Sequence, residues 1–166
     1  MTLSHAFFPS MSRITQVLMV LLGSLFIAIA AQINVPMYPV PVTLQTLAIL
    51  LVGMAFGARL GAATLIVYLA EGAMGLPVFA KGMNGAAFFS PTAGFLVGFV
   101  AMAFLAGLMT DRGIRNVFAL AIGAILISFL IYIPGVAWAM WIAEAQADWS
   151  SHLGLGPNRR PETGQL

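Results

Sequence analysis

From Ile14 to Ile33 the chain runs about 20 residues without a charged side chain. At 1.5 Å per residue this makes about 30 Å of helix, the thickness of a bilayer's hydrocarbon core. Four more apolar runs follow: Val42–Phe56, Leu60–Met74, Thr92–Thr110, and a fifth from Val117 to Ile133 that extends toward Ile142. Pro134 is a point where the fifth can end or kink. The chain is 61% hydrophobic and 7% charged, against about 25% charged for soluble domains. A water-soluble chain of 166 residues could not hide so much apolar surface, so lipid is its solvent. The expected fold is all-α, a polytopic membrane helix bundle with five clear spans. Residues 1–147 form the membrane domain and 148–166 a polar tail. Arg13, Val17–Ile29 and "AIAAQ" also have the pattern of a cleavable leader; four further apolar runs argue against that reading.

Charge sets the expected orientation. Arg13 precedes the first run, Arg59 separates the second and third, and Arg112 and Arg115 separate the fourth and fifth. All four fall on one side if every run crosses. On the other side the only basic residue before the tail is Lys81. Basic residues favour the cytoplasmic side, which places the N-terminus in the cytoplasm.

Several function classes have nothing to stand on. A net charge of +2 is too small and dispersed for a nucleic-acid binder. No cysteine is present, so disulfide and thiolate chemistry are excluded. There is no G-x-x-x-x-G-K-[ST] and no H-E-x-x-H. His5 and His152 lie in the polar ends, and no nucleophile–base arrangement is visible. The expectation is a protein that is not an enzyme and carries no cofactor.

The segment "NVPMYPVPVTLQT" (34–46) holds three prolines, Pro36, Pro39 and Pro41. They remove three backbone donors and favour extended backbone, so the segment reads as neither helix nor sheet. In lipid such backbone survives only where it is buried in protein or lines a wet cavity. Roofing an outward-opening chamber would put Asn34, Tyr38, Thr43 and Gln45 at its mouth. The alternative is a stiff connector without a ligand.

The second outward stretch, 75–91, bears on this choice. Glu71 and Lys81 are the only charged residues between Arg59 and Asp111. An ionisable residue at membrane depth is a functional hypothesis by default. Asn84 and Thr92 add hydrogen-bonding groups, and Phe79, Phe88, Phe89 and Trp138 add aromatic faces. A mostly apolar pocket with few polar groups suits a small amphipathic solute. The alternative is a static Glu71–Lys81 pair. Gly53, Gly57 and Gly61 recur every fourth residue, as do Gly94 and Gly98, and Ser24 and Ala28. Such spacing lets helices approach closely in lipid, either inside one bundle or against another membrane subunit.

The stretch "VPMYPVPVTLQTLAILLVGMAFGARLGAATLIVYLAEGAMGLPVFA" (35–80) resembles the biotin-specific substrate-binding subunit family, BioY, of energy-coupling-factor transporters. The resemblance rests on P-V-P-V-T-L-Q-T, the G-x-R-x-G turn at Gly57–Gly61 and G-x-x-G-L-P-V-F at 72–79. "SPTAGFLVGF" (90–99) and "YIPGVAW" (132–138) add to it, with Ser90 where the family usually has Gly. It covers roughly residues 14 to 142. It implies a six-helix protein of the bacterial inner membrane that captures biotin from outside beneath the proline loop. It also implies partners, a transmembrane coupling subunit and ABC-type ATPases, docked on small residues of the first helix, for which Ser24 and Ala28 are the candidates. A family ligand contact falls on Asn84. Gln45, Tyr38, Lys81, Glu71 and Trp138 complete the candidate site from location and chemistry. Biotin's ureido ring calls for amide donors and acceptors, and its carboxylate favours Lys81. Uptake of another vitamin and a ligand-free structural subunit stay open as alternatives.

One departure stands out. The family's sixth helix carries P-G-D-x-x-K, and nothing here matches it. After Ala147 the chain reads "DWSSHLGLGPNRRPETGQL", polar and without periodicity. A truncated or frame-shifted coding sequence, with weak or absent biotin binding, is the expectation. A folded-back tail or a second chain completing the bundle is the alternative.

Overall fold

The structure, a computed structural model, describes residues 12–35, 42–90 and 93–152. Among them are five α-helices: α1 (Arg13–Gln32), α2 (Gln45–Phe56), α3 (Ala58–Ala73), α4 (Ala93–Asp111) and α5 (Val117–His152). Three contain stretches long and apolar enough to cross a membrane: Arg13–Gln32, Ala93–Asp111 and Val117–Ile142. The other two are shorter than a hydrocarbon core, with α2 at 12 residues, about 18 Å, and α3 at 16, about 24 Å. The expectation of five full spans is met in helix number rather than in length.

Ser12 starts α1, its hydroxyl accepting from the amide of Thr15 at 3.2 Å. Where α1 ends, Asn34–Val35 (β1) pairs antiparallel with Val42–Thr43 (β2), in the register Asn34↔Thr43 and Val35↔Val42. The reading of 34–46 as neither helix nor sheet is therefore corrected at its flanks. The ladder can form because the prolines lie between the paired residues, and none has to donate to it. Pro36, Pro39, Pro41 and Tyr38 lie outside the described residues.

Gly57 joins α2 to α3 at φ +85°, a conformation that favours glycine. Close approach accounts for the neighbouring glycines. A Cβ at Gly53 would sit 2.5 Å from the carbonyl oxygen of Ala103, and one at Gly61 3.0 Å from the Cα of Gly53. A Cβ at Gly107 would run into the backbone of Gly57 and Ala58. Thus α2, α3 and α4 touch backbone to backbone. Gly94 meets Trp138 and Gly98 meets Ile131, which seats α5 on α4. The glycine spacing serves packing within one bundle. Around this seam Ile49, Leu65, Tyr68, Met102 and Ala103 are fully buried.

The junction of α2 and α3 is tied to the end of α4. The amide of Ala58 donates to Asp111 Oδ2 at 2.9 Å, and Thr110 Oγ1 donates to the carbonyl of Met54 at 3.0 Å. A carboxylate here caps the otherwise unpaired amides of α3 and complements its dipole. Asp111→Ala is expected to destabilise the fold by about 1 kcal/mol, with Asp111→Asn losing less. Thermal unfolding of the two variants in detergent checks the order.

α5 continues across Pro134, past Glu144 and Ala147, and remains helical to His152. The stretch Ala139–Ala147 explains this: Ala, Met, Glu and Gln are strong helix formers. The helix therefore passes the tail boundary read at Ala147, while residues 153–166 lie outside the description. Beyond its contact with α4, α5 presents Phe118, Ile122, Phe129 and Ile133 on the surface, as suits a helix bathed in lipid.

Candidate functional site

Gln45, Lys81 and Asn84 lie at the end of the bundle opposite Arg13, Arg59, Arg112 and Arg115. This end is built from the end of α1, the β1–β2 pair, the start of α2, the end of α3 and the loop 74–90. Gln32, which closes α1, organises it. Its Nε2 donates to the carbonyl of Phe79 at 3.1 Å, and its Oε1 accepts from the amide of Gly82 at 3.2 Å. Tyr68, fully buried on α3, donates its hydroxyl to the carbonyl of Val78 at 2.9 Å. The Phe79 ring sits edge-on to Tyr68, with centroids 5.3 Å apart, and to Phe88 at 5.7 Å. The loop 74–90 is thereby anchored to α1 and α3 by polar bonds above and aromatic packing below.

Gln45, the first residue of α2, is only 3% exposed. Among the described residues its Nε2 is the one buried side-chain nitrogen or oxygen without a hydrogen-bond partner. A buried donor left unpaired costs about 1–3 kcal/mol, and such groups call for an explanation.

The other candidates divide. Lys81 is exposed, at φ +60° in the short 3-10 turn Ala80–Gly82. Asn84 is also exposed and shapes its own loop: Oδ1 accepts from the amide of Ala86 at 3.3 Å, and Nδ2 donates to the carbonyl of Gly75 at 3.4 Å. Trp138, 40% exposed, lies over Gly94 with its ring 5.5 Å from Trp141. Tyr38 lies outside the described residues.

Glu71 and Lys81 form no ion pair among the described residues. Glu71, half-buried, instead accepts through Oε1 from Ser24 Oγ at 2.9 Å. Ser24 is 1% exposed, and Ala28 is half-buried against the core. The serine's single proton is shared between Glu71 Oε1 and the Leu21 carbonyl, both 2.9 Å away.

Gln32 and Tyr68 were not singled out from the sequence. A signal existed for Gln32, an amide closing an otherwise apolar run. Tyr68 gave none, since its partner is a backbone carbonyl ten residues on.

The model of the BioY family matches residues 4–158. The chain is 34% identical over 150 residues to biotin transporter BioY2 of Lactococcus lactis subsp. cremoris, covering 87% of this chain and 79% of that one. It is 37% identical over 149 residues to biotin transporter BioY of Rhodobacter capsulatus, with 85% and 73% covered. A probable biotin transporter BioY of Pyrococcus horikoshii is 38% identical over 127 residues, with 74% and 73% covered. Among solved structures, the S-component for biotin from an ECF-type ABC transporter superposes with a TM-score of 0.72 at 23% identity, covering 89% of this chain and 86% of that one. The fold is thus the all-α membrane bundle of the S-component type. The chain belongs to the BioY family.

Proposed function

We propose that this chain is the membrane subunit that captures biotin for uptake by an energy-coupling-factor transporter. The observation that carries the reading is the similarity to biotin transporters over most of the chain. Gln45 is where the site becomes specific. Its unpaired amide suits an acceptor on biotin, either the ureido carbonyl or the carboxylate. Lys81, Asn84 and Trp138 supply a charge, an amide and an aromatic face at the same end. The N-terminus and the four arginines lie in the cytoplasm, so the Gln45 end opens outward.

The work is binding and movement rather than chemistry. Biotin stabilises one arrangement of the bundle; an energised partner must favour the other, because a ligand held equally in both shifts nothing. A transmembrane coupling subunit with ABC-type ATPases is that partner.

The purified chain in detergent is expected to bind radiolabelled biotin saturably and to melt higher in its presence. Unlabelled biotin should compete and other vitamins should not. Affinity should fall below that of relatives carrying the P-G-D-x-x-K motif, which has no counterpart after Ala147. Lys81→Ala and Asn84→Ala should each weaken binding further; unchanged affinity in both would remove the loop 74–90 from the site. Competition by a different vitamin would reassign the substrate, and no thermal shift with any vitamin would favour a structural subunit.

A further inference from the structure

Among the described residues Lys81 is the one non-glycine residue at positive φ, +60° with ψ +25°. The left-handed region disfavours a residue with a Cβ, and a side chain stays there only where its surroundings over-determine it. Here they do. The amide of Phe79 donates to the carbonyl of Met83 at 3.0 Å, closing a tight turn around Lys81, and the amide of Gly82 donates to the carbonyl of Phe79 at 3.0 Å. Gln32 reaches the same two inner groups from the end of α1. Its Nε2 donates to the Phe79 carbonyl and its Oε1 accepts from the Gly82 amide. One side-chain amide thus brackets Lys81, bonding the residue two before it and the residue after it.

The base of this turn is packed and its tip is open. Phe79 and Ala80 are buried, and the Phe79 ring lies edge-on to both Tyr68 and Phe88. Lys81 and Gly82 are exposed. Lys81 is the only basic residue between Arg59 and Arg112 in the chain, so the turn presents a single ammonium. The nearest acid in sequence, Glu71, is engaged with Ser24 of α1. An ammonium on a four-carbon stem is flexible. A rigid backbone beneath it narrows the region it samples, which reduces the ordering needed when an anion arrives.

We infer that Gln32 is a positioning residue for a carboxylate subsite at Lys81, and that it sets the preference for an acidic solute over its neutral ester. Gln32 acts through the backbone of residues 79–82, not by touching the solute. The inference rests on the biotin reading above and deepens it: biotin's carboxylate goes to Lys81, which leaves its ureido carbonyl for Gln45.

The test compares equilibrium binding of biotin and of biotin methyl ester to the full chain in detergent. The unaltered chain should favour biotin about ten-fold, the worth of one hydrogen bond to a charged group. Gln32→Leu should lower biotin affinity about five-fold and ester affinity far less, so that the preference largely collapses. Lys81→Ala should abolish the preference, and adding Gln32→Leu to it should change biotin affinity little further. Gln32→Glu keeps an acceptor for the Gly82 amide but has no donor for the Phe79 carbonyl, and it should lose preference as well. Gln32 is exposed, so these variants leave the core intact. In the ligand-free chain, hydrogen–deuterium exchange across residues 79–86 should quicken in Gln32→Leu. Equal losses for biotin and ester, an unchanged preference, additivity with Lys81→Ala, or unchanged exchange across 79–86 would each overturn the inference. An unaltered chain that binds neither ligand would overturn the biotin reading together with it, whereas normal biotin binding with an unchanged preference in Gln32→Leu would overturn this inference alone.

Discussion

Gln45→Leu is expected to lower biotin affinity about ten- to a hundred-fold while leaving the ligand-free chain at least as stable as before. The two effects have one origin. In the folded chain the Gln45 amide is buried and its Nε2 has no partner, an arrangement that costs about 1–3 kcal/mol. Leucine is apolar and has no donor, so it relieves that penalty. When biotin brings an acceptor, the native amide gains a hydrogen bond that leucine cannot make. The lost contact, at about 1–3 kcal/mol, converts to the stated range of affinity. A purely structural glutamine would give the opposite pairing, with lower stability and unchanged affinity per folded molecule. Thermal melting and equilibrium binding on the same preparation separate the two cases.

Gly53→Val should have the largest effect on the fold itself. Even a single Cβ there lies 2.5 Å from the carbonyl oxygen of Ala103, with the Ala103 Cα and C also within reach. The obstruction is backbone, so no side-chain rotation relieves it, and α2 must move away from α4. Overpacking of well-filled interiors costs about 1–3 kcal/mol, and the two extra methyl groups of valine place this substitution at or above the upper end. Gly107→Ala is expected to behave similarly, because its Cβ meets the backbone of Gly57 and Ala58. Gly85→Ala serves as the control. Its nearest neighbours are 3.5 Å away, ordinary van der Waals distance, and its effect should stay within about 0.5 kcal/mol. Size-exclusion profiles and melting curves in detergent read all three.

The apolar runs placed the helices well. Ile14–Ile33 became Arg13–Gln32, and Thr92–Thr110 became Ala93–Asp111, because in lipid a helix ends where hydrophobic length ends. Glycine spacing likewise disclosed the α2–α3–α4 seam, since only the smallest residues allow backbones to touch. What stayed hidden depends on partners distant in sequence. Ser24 and Ala28 had the spacing of close helix contact, but no spacing discloses that Ser24 bonds Glu71, 47 residues on. The sequence assigned Asp111 no role; its part as the cap of α3 needs the end of α4 to lie beside Ala58. The β1–β2 pair was obscured by three prolines that sit between its strands and take no part in it. At the site, Gln45 was legible as a polar group at the edge of an apolar run. That its nitrogen is both buried and unpaired is a property of packing, which no local pattern encodes.

Hydrogen–deuterium exchange with and without biotin tests most directly whether capture occurs at the Gln45 end. Peptides spanning residues 44–51 and 74–90 should gain protection when biotin is present, and those spanning 13–20 and 112–116 should not change. Protection confined to the arginine end, or none anywhere at saturating biotin, would contradict a capture site built around Gln45.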